Sequence, residues 1–210
     1  MANDKKEIQS LAEGMGANPL ELLTLMGIAW AESAWRWDAV GDNHGSFGPF
    51  QNQRQDGVPK EKQVKDALDR IRKQNSYLAP IWNELAPYVD NSDVNVIRLH
   101  RANWQVGETR TRNWVDYIKT QISDIMSQSS VDEAGIRIAL AGDDRKLDVN
   151  DFIAFMGTKG ASVSALQGGQ DLISHYINNE MPAITVAGAT GWGMGLAIVI
   201  GIALFWFFKR

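Results

Sequence analysis

From Ile184 to Phe208 the chain reads ITVAGATGWGMGLAIVIGIALFWFF, roughly 25 residues without a charge. No other stretch limits so narrowly what the chain can become. As a helix the run would extend about 37 Å, longer than the ~30 Å hydrocarbon core of a bilayer. Trp192 lies inside it, Trp206 lies near its far end, and Lys209 and Arg210 close it. That order matches an aromatic and basic anchor at one membrane interface. The expectation is a single C-terminal transmembrane helix over residues 184–208. The competing reading is a buried core helix, although such helices are seldom so long and uninterrupted. Gly191 and Gly195 add the small-xxx-small spacing of helix pairing in lipid, a weakly specific pattern.

The remainder must fold in water. A chain of 210 residues holds one domain of ordinary size with appendages, or two small ones. A net charge of -4 and a pI near 5.4 argue against bulk attraction to nucleic acid, and none is expected as a partner. The chain has no cysteine, which removes disulfides, thiol nucleophiles and zinc-thiolate sites together and leaves stability to packing. Its 8 tryptophans are many for this length, and any outside the core would suit a cleft that stacks the flat faces of sugars. Residues 1–16 are polar and charged, with no apolar stretch of the kind a secretory signal requires.

The periodicity is helical, so the fold class expected is mainly α. Asn18 reads as an N-cap with Pro19 in the first turn and Glu21 three residues after the cap; Leu22, Leu25, Met26, Ala29 and Trp30 then recur as one stripe. A second helix is predicted over residues 60–79 through Val64, Leu68 and Ile71, with a shorter one from Ile81 to Tyr88 set off by Pro80 and Pro87. Further helices are predicted over Val94 to His100 and Thr111 to Met126. The serine-rich stretch at 127–130 marks a boundary. Beyond it, helical patterns surround Ile138, Phe152 to Met156 and Leu172 to Ile177, with KGASVSALQGG as a loop between the last two. The expected organisation is a domain over residues 1–127, a helical extension over 128–183 and the span over 184–208.

Glu32 ends the apolar run LLTLMGIAWA and precedes Ser33. An acid set against Leu25, Ile28 and Ala29 loses solvation of its charged form, which favours holding a proton near neutral pH, as general-acid cleavage of a glycosidic bond requires. The other reading is a glutamate at an exposed helix end. Downstream stands GSFGPFQ, residues 45–51, and then Ala102-Asn103-Trp104 with Gly107, and ETRTRNWV from Glu108 to Val115. Taken in order, these segments resemble the catalytic stretch of the lysozyme-like superfamily, in particular soluble lytic transglycosylases and goose-type lysozymes. Trp114 stands where that family carries a tyrosine, with Tyr117 one turn along as a substitute, and Asn103 directly follows the alanine instead of coming after an aromatic. The resemblance covers roughly residues 18–120.

The resemblance implies a lysozyme-like fold in residues 1–127 and cleavage of the β-1,4 bond between N-acetylmuramic acid and N-acetylglucosamine in peptidoglycan. Glu32 would be the acid, and Ser46, Phe47 and Gln51 would line the cleft. Asn103, Trp104, Trp114 and Tyr117 would contact substrate. Asp42 bears on the reaction type. In goose-type lysozymes an aspartate before a similar loop positions water for hydrolysis, whereas transglycosylases lack that base and let the sugar's 6-hydroxyl close an anhydro ring. Transglycosylase is narrowly favoured, and an Asp in DAVGDNHG is equally an ordinary turn residue.

No metal or cofactor is expected. His44, His100 and His175 are scattered without ligand spacing, and DDRKLDVNDF fails as a calcium loop because Arg145 stands where the turn glycine is needed. No phosphate-binding glycine loop is present. A wall-degrading enzyme without an export signal and with a C-terminal span fits best in a bacteriophage particle that meets the wall from outside. The expected partners are peptidoglycan glycan strands, the lipid membrane through residues 184–208, and other virion membrane proteins. The alternatives are a bacterial envelope protein exported by another route and a noncatalytic peptidoglycan-binding or structural subunit.

Overall fold

The computed structural model describes residues 2–41, 45–53, 56–128 and 130–181. The expected span at 184–208 and the residues Asp42 and His44 lie outside the described residues, and among those described no helix is long and apolar enough to cross a membrane. The described chain is mainly α, as periodicity predicts.

The helices are α1 (Ala2–Gly14), α2 (Pro19–Ser33), α3 (Lys60–Asn83), α4 (Asp93–Val106), α5 (Glu108–Gln128), α6 (Glu133–Ala141), α7 (Val149–Thr158) and α8 (Val163–His175), followed by a π-helical turn, Tyr176–Glu180. Between α2 and α3 three two-residue strands, β1 (Val40–Gly41), β2 (Ser46–Phe47) and β3 (Asn52–Gln53), form a small antiparallel sheet. Val40 pairs with Phe47, and Phe47 with Asn52.

α2 begins as its sequence predicts. Asn18 Oδ1 accepts from the Glu21 N–H at 2.9 Å, and the Glu21 carboxylate accepts from the Asn18 N–H at 3.0 Å, a reciprocal cap that satisfies two otherwise orphaned donors. From Glu21 to Ala29 every residue is buried. Two large hydrophobic clusters divide the core. One joins Ile8 and Ala12 of α1, the inner side of α2, and Phe50, Val64, Ile71 and Tyr176; the other joins Leu78 and Ile81 of α3 to Trp114, Ile118, Ile136, Phe152, Met156 and Leu166. Residues from α6 onward therefore bury themselves among those from α3 to α5. A backbone bridge between Val89 and Leu147 reinforces this, with Leu147 N–H donating to Tyr88 O at 2.8 Å.

One helix goes beyond what periodicity predicts, and two expectations change. Residues 2–14 form a helix because Ile8 and Ala12, one turn apart, are fully buried, a two-residue stripe too sparse to stand out among charges. Pro80 does not end α3, which runs to Asn83. The fully buried Leu78 and Ile81 flank the proline on the core side, and their packing outweighs one lost N–H donor. The segment read as a loop, residues 159–169, is helical from Val163, capped by Ser162 and held by buried Leu166. Gly169 lies inside that helix beside Gln105 of α4, whose side-chain end would have to move aside for a Cβ standing 2.6 Å from its Oε1.

If residues on both sides of position 129 share one core, Phe152→Ala should lower the unfolding free energy by about 3–5 kcal/mol for removing a buried aromatic ring. A urea titration should show this as a single shifted transition; a separate early transition for α6 to α8 would contradict the shared core.

Candidate functional site

Glu32 is the penultimate residue of α2, where the negative end of the helix dipole disfavours another negative charge. What balances it is Arg101, whose Nη1 lies 2.8 Å from Glu32 Oε1. The side chains are 18% exposed for Glu32 and 6% for Arg101, so the carboxylate reaches solvent and the guanidinium scarcely does. This modifies the expected setting of Glu32. Leu25, Ile28 and Ala29 are indeed fully buried, but the carboxylate at the end of their helix faces a cation, which favours its ionised form. A second guanidinium, Arg70 of α3, lies within electrostatic reach. Burial holds both arginines below their ordinary value, and Glu32 acts on each in the opposite direction.

The chain leaves α2 through Ala34 and Trp35, both in the left-handed region at φ 52° and 65°, which is uncommon for residues with a Cβ. Their N–H groups donate back to Trp30 O at 2.8 Å and Ala29 O at 3.1 Å, and the Trp35 indole donates to Met26 O at 2.9 Å. The helix end is thus locked from below. Ser33 locks it from the side. Its Oγ lies 3.1 Å from Pro49 O and accepts from Arg36 N–H at 3.1 Å, tying the Gly-Pro turn to α2. Phe50, fully buried, anchors the same turn in the core. Gly48 has φ +72°, and a Cβ there would collide with the Gln63 side chain, so this position requires glycine. Gln51, also left-handed at φ 46°, folds its amide onto Gly48 O at 2.8 Å. A shallow depression of about 470 Å³ beside the acid is lined by Trp30, Ala31, Glu32, Ser33, Arg36 and, from α8, Leu172.

The residues expected to contact substrate separate into two groups. Glu32 and the strand-and-turn segment carrying Ser46, Phe47 and Gln51 are joined through Ser33, with Ser46 buried and Phe47 and Gln51 half-buried. The others are placed elsewhere. Trp114 is 1% exposed and meets Phe152 edge-on at 5.0 Å, because at its position on α5 it faces the core. Asn103 is 1% exposed and accepts from Tyr77 Oη at 2.8 Å and Thr111 Oγ1 at 2.7 Å, joining α3, α4 and α5. Burial raises the Tyr77 hydroxyl above its ordinary value, with the bond to Asn103 opposing it. Trp104 is buried, with the Arg70 guanidinium 3.7 Å from its ring centre and donating to its carbonyl at 2.8 Å. Tyr117 is 46% exposed but lies against Phe155 of α7, 5.0 Å between ring centres.

Sequence reasoning missed Arg101 and Arg70. The signal existed: on α4, Arg101 follows Ile97 by four residues and precedes Trp104 by three, which puts a cation on the buried face, where it requires a partner. Beside it, His100 bridges to α3, with Nδ1 2.6 Å from Gln74 Oε1 and Nε2 2.9 Å from Asn75 Oδ1. A neutral ring offers one donor and one acceptor, so turning the Gln74 amide, whose Nε2 otherwise has no partner, satisfies both nitrogens. Among the described residues no group of acidic, histidine or cysteine side chains is arranged to hold a metal. No family model, no curated protein and no solved structure matches the chain.

Burial pushes His100 down from 6.5 to about 4, so the folded state prefers the neutral ring while the unfolded chain binds a proton below about pH 6.5. Stability should therefore be fully present above that pH and decline as pH falls from about 6.5 toward 4. Denaturant midpoints over this range should show a slope that His100→Gln flattens; an unchanged slope would assign the acid sensitivity to other groups.

Proposed function

We propose that the chain is a membrane-anchored peptidoglycan lytic transglycosylase of the lysozyme-like type, carried in a bacteriophage particle and opening the host wall locally during genome entry. The observation that carries this reading is the placement of Glu32: a partly exposed carboxylate on a rigid helix end, tied through Ser33 to a glycine-dependent turn. It agrees with the resemblance of residues 18–120 to that family. In this reading a protonated Glu32 donates to the oxygen leaving N-acetylmuramic acid, and the glycosidic bond breaks through an oxocarbenium-like state. Glu32, now ionised, takes the proton of the same sugar's 6-hydroxyl as that oxygen bonds to C1. The products are an anhydromuramyl end and a free N-acetylglucosamine end, with no water consumed. Residues 184–208 would hold the enzyme at a lipid membrane.

Two other readings are kept. Hydrolysis would assign Asp42 to orient a water, and its support is the sequence Gly41-Asp42-Asn43-His44-Gly45 alone. A noncatalytic peptidoglycan-binding or structural subunit is favoured by one observation, the ion pair between Glu32 and Arg101, since a carboxylate held by a buried cation also makes a sound structural tie.

Glu32→Gln should cut release of soluble muropeptides from purified peptidoglycan by about 10²- to 10⁴-fold, the range of a lost general acid. Parental turnover in that variant would leave the noncatalytic reading. Mass spectrometry of the parent's products should show anhydromuramyl ends; reducing ends would mean hydrolysis, and freed peptides a different bond.

A further inference from the structure

We propose that Arg101 is a positioning residue for Glu32: it holds the carboxylate in one orientation and sets the pH above which Glu32 ceases to carry a proton. This rests on the general-acid reading of Glu32. The geometry separates the two roles. Arg101 touches Glu32 at 2.8 Å yet is only 6% exposed, so it can act on a ligand through the carboxylate but not directly.

The element that carries Arg101 is fixed on both sides of it. His100, one residue before, is bonded to Gln74 and Asn75 of α3. Asn103, two residues after, is bonded to Tyr77 of α3 and Thr111 of α5. The segment between these tethers has little freedom to shift, so the guanidinium is preorganised against α2. The opposing element is equally fixed, through the left-handed exit at Ala34 and Trp35 and through Ser33. A single Nη1–Oε1 contact at 2.8 Å between two fixed elements limits how far the carboxylate can swing away from the guanidinium.

Three arginines from different segments stand near Glu32. Arg101 comes from α4, Arg70 from α3, and Arg36 from the turn after α2 lines the same depression. On the α8 side the wall is Leu172, with His175 stacked on Trp30 at 5.4 Å. Arg70 is clamped by the ring and carbonyl of Trp104. Arg101, in direct contact with the carboxylate, stabilises its ionised form over the protonated one. The expected consequence is an enzyme whose activity falls on the alkaline side at a pH set by this pair.

The test uses the full-length chain, with pH profiles of kcat/KM on purified peptidoglycan and a carbon-13 NMR titration of the Glu32 carboxyl, assigned by its loss in Glu32→Gln. Arg101→Gln removes the charge and should move both the alkaline limb and the Glu32 titration upward by about one pH unit or more. Arg101→Lys keeps the charge but not the planar fork; it should leave the limb in place and lower kcat several-fold with KM unchanged. An unmoved titration in folded Arg101→Gln overturns the proposal, as does parental kcat in Arg101→Lys, which carries the test if the neutral variant does not fold. Parental turnover in Glu32→Gln refutes the catalytic reading instead. The NMR titration requires no turnover, so the two failures are distinguishable.

Discussion

A helix that is apolar on one side can lie on a surface, but α2 is buried through the whole of Glu21 to Ala29, and such a helix must be covered on every side. The chain meets that requirement with α1, α3, α4 and α8, all of which pack against α2. Coverage by α8 explains why residues after position 129 return to the core, since α8 and the π-helical turn close the side of α2 that α1 and α3 leave open. Tyr176 at that turn lies against Gly27 at mid-helix, where a Cβ would stand 3.0 Å from the ring. A side chain at position 27 would require the Tyr176 ring to give way by a few tenths of an ångström.

The same enclosure creates the site. Where α2 emerges from its sheath, its last turn holds Glu32 at the negative end of the helix dipole. Arg101 supplies the opposite charge from α4. Taking two charges out of water costs more than a surface pair would, so this contact adds little to stability and much to the definition of one geometry. The interior polar contacts of His100 and Asn103 serve α4 in the same way. Together with the Arg70 bond to Trp104 O they tie α4 to α3, and Asn103 ties it to α5 as well.

How much of this was legible in the sequence differs residue by residue. The start of α2 was fully legible, because Asn18, Pro19 and Glu21 act through bonds only three residues apart. α5 was legible from its own stripe. Pro80 was misread because its local rule, a lost N–H donor, competes with the packing of Leu78 and Ile81 against residues distant in the chain. Trp114 was assigned to a ligand by motif position, yet α5 turns it toward Phe152, a partner that no local pattern names. Arg101 showed itself only as a cation on an apolar face. Its counterion lies on another helix, and that pairing depends on how α2 and α4 cross.

By itself the sequence determined a mainly helical chain, the caps and stripes of its principal helices, an uncharged run at 184–208 of bilayer length, and a carboxylate at the end of an apolar helix run. These are properties of short segments, governed by side-chain spacing and by hydrogen bonds within a turn or two. The tertiary structure alone decided that residues 130–181 belong to the same core, that Asn103, Trp104 and Trp114 are interior ties and not a cleft, and that Glu32 faces Arg101. Each of those outcomes depends on which distant surfaces meet when every apolar face must be covered at once, and segment-level propensities carry no term for that.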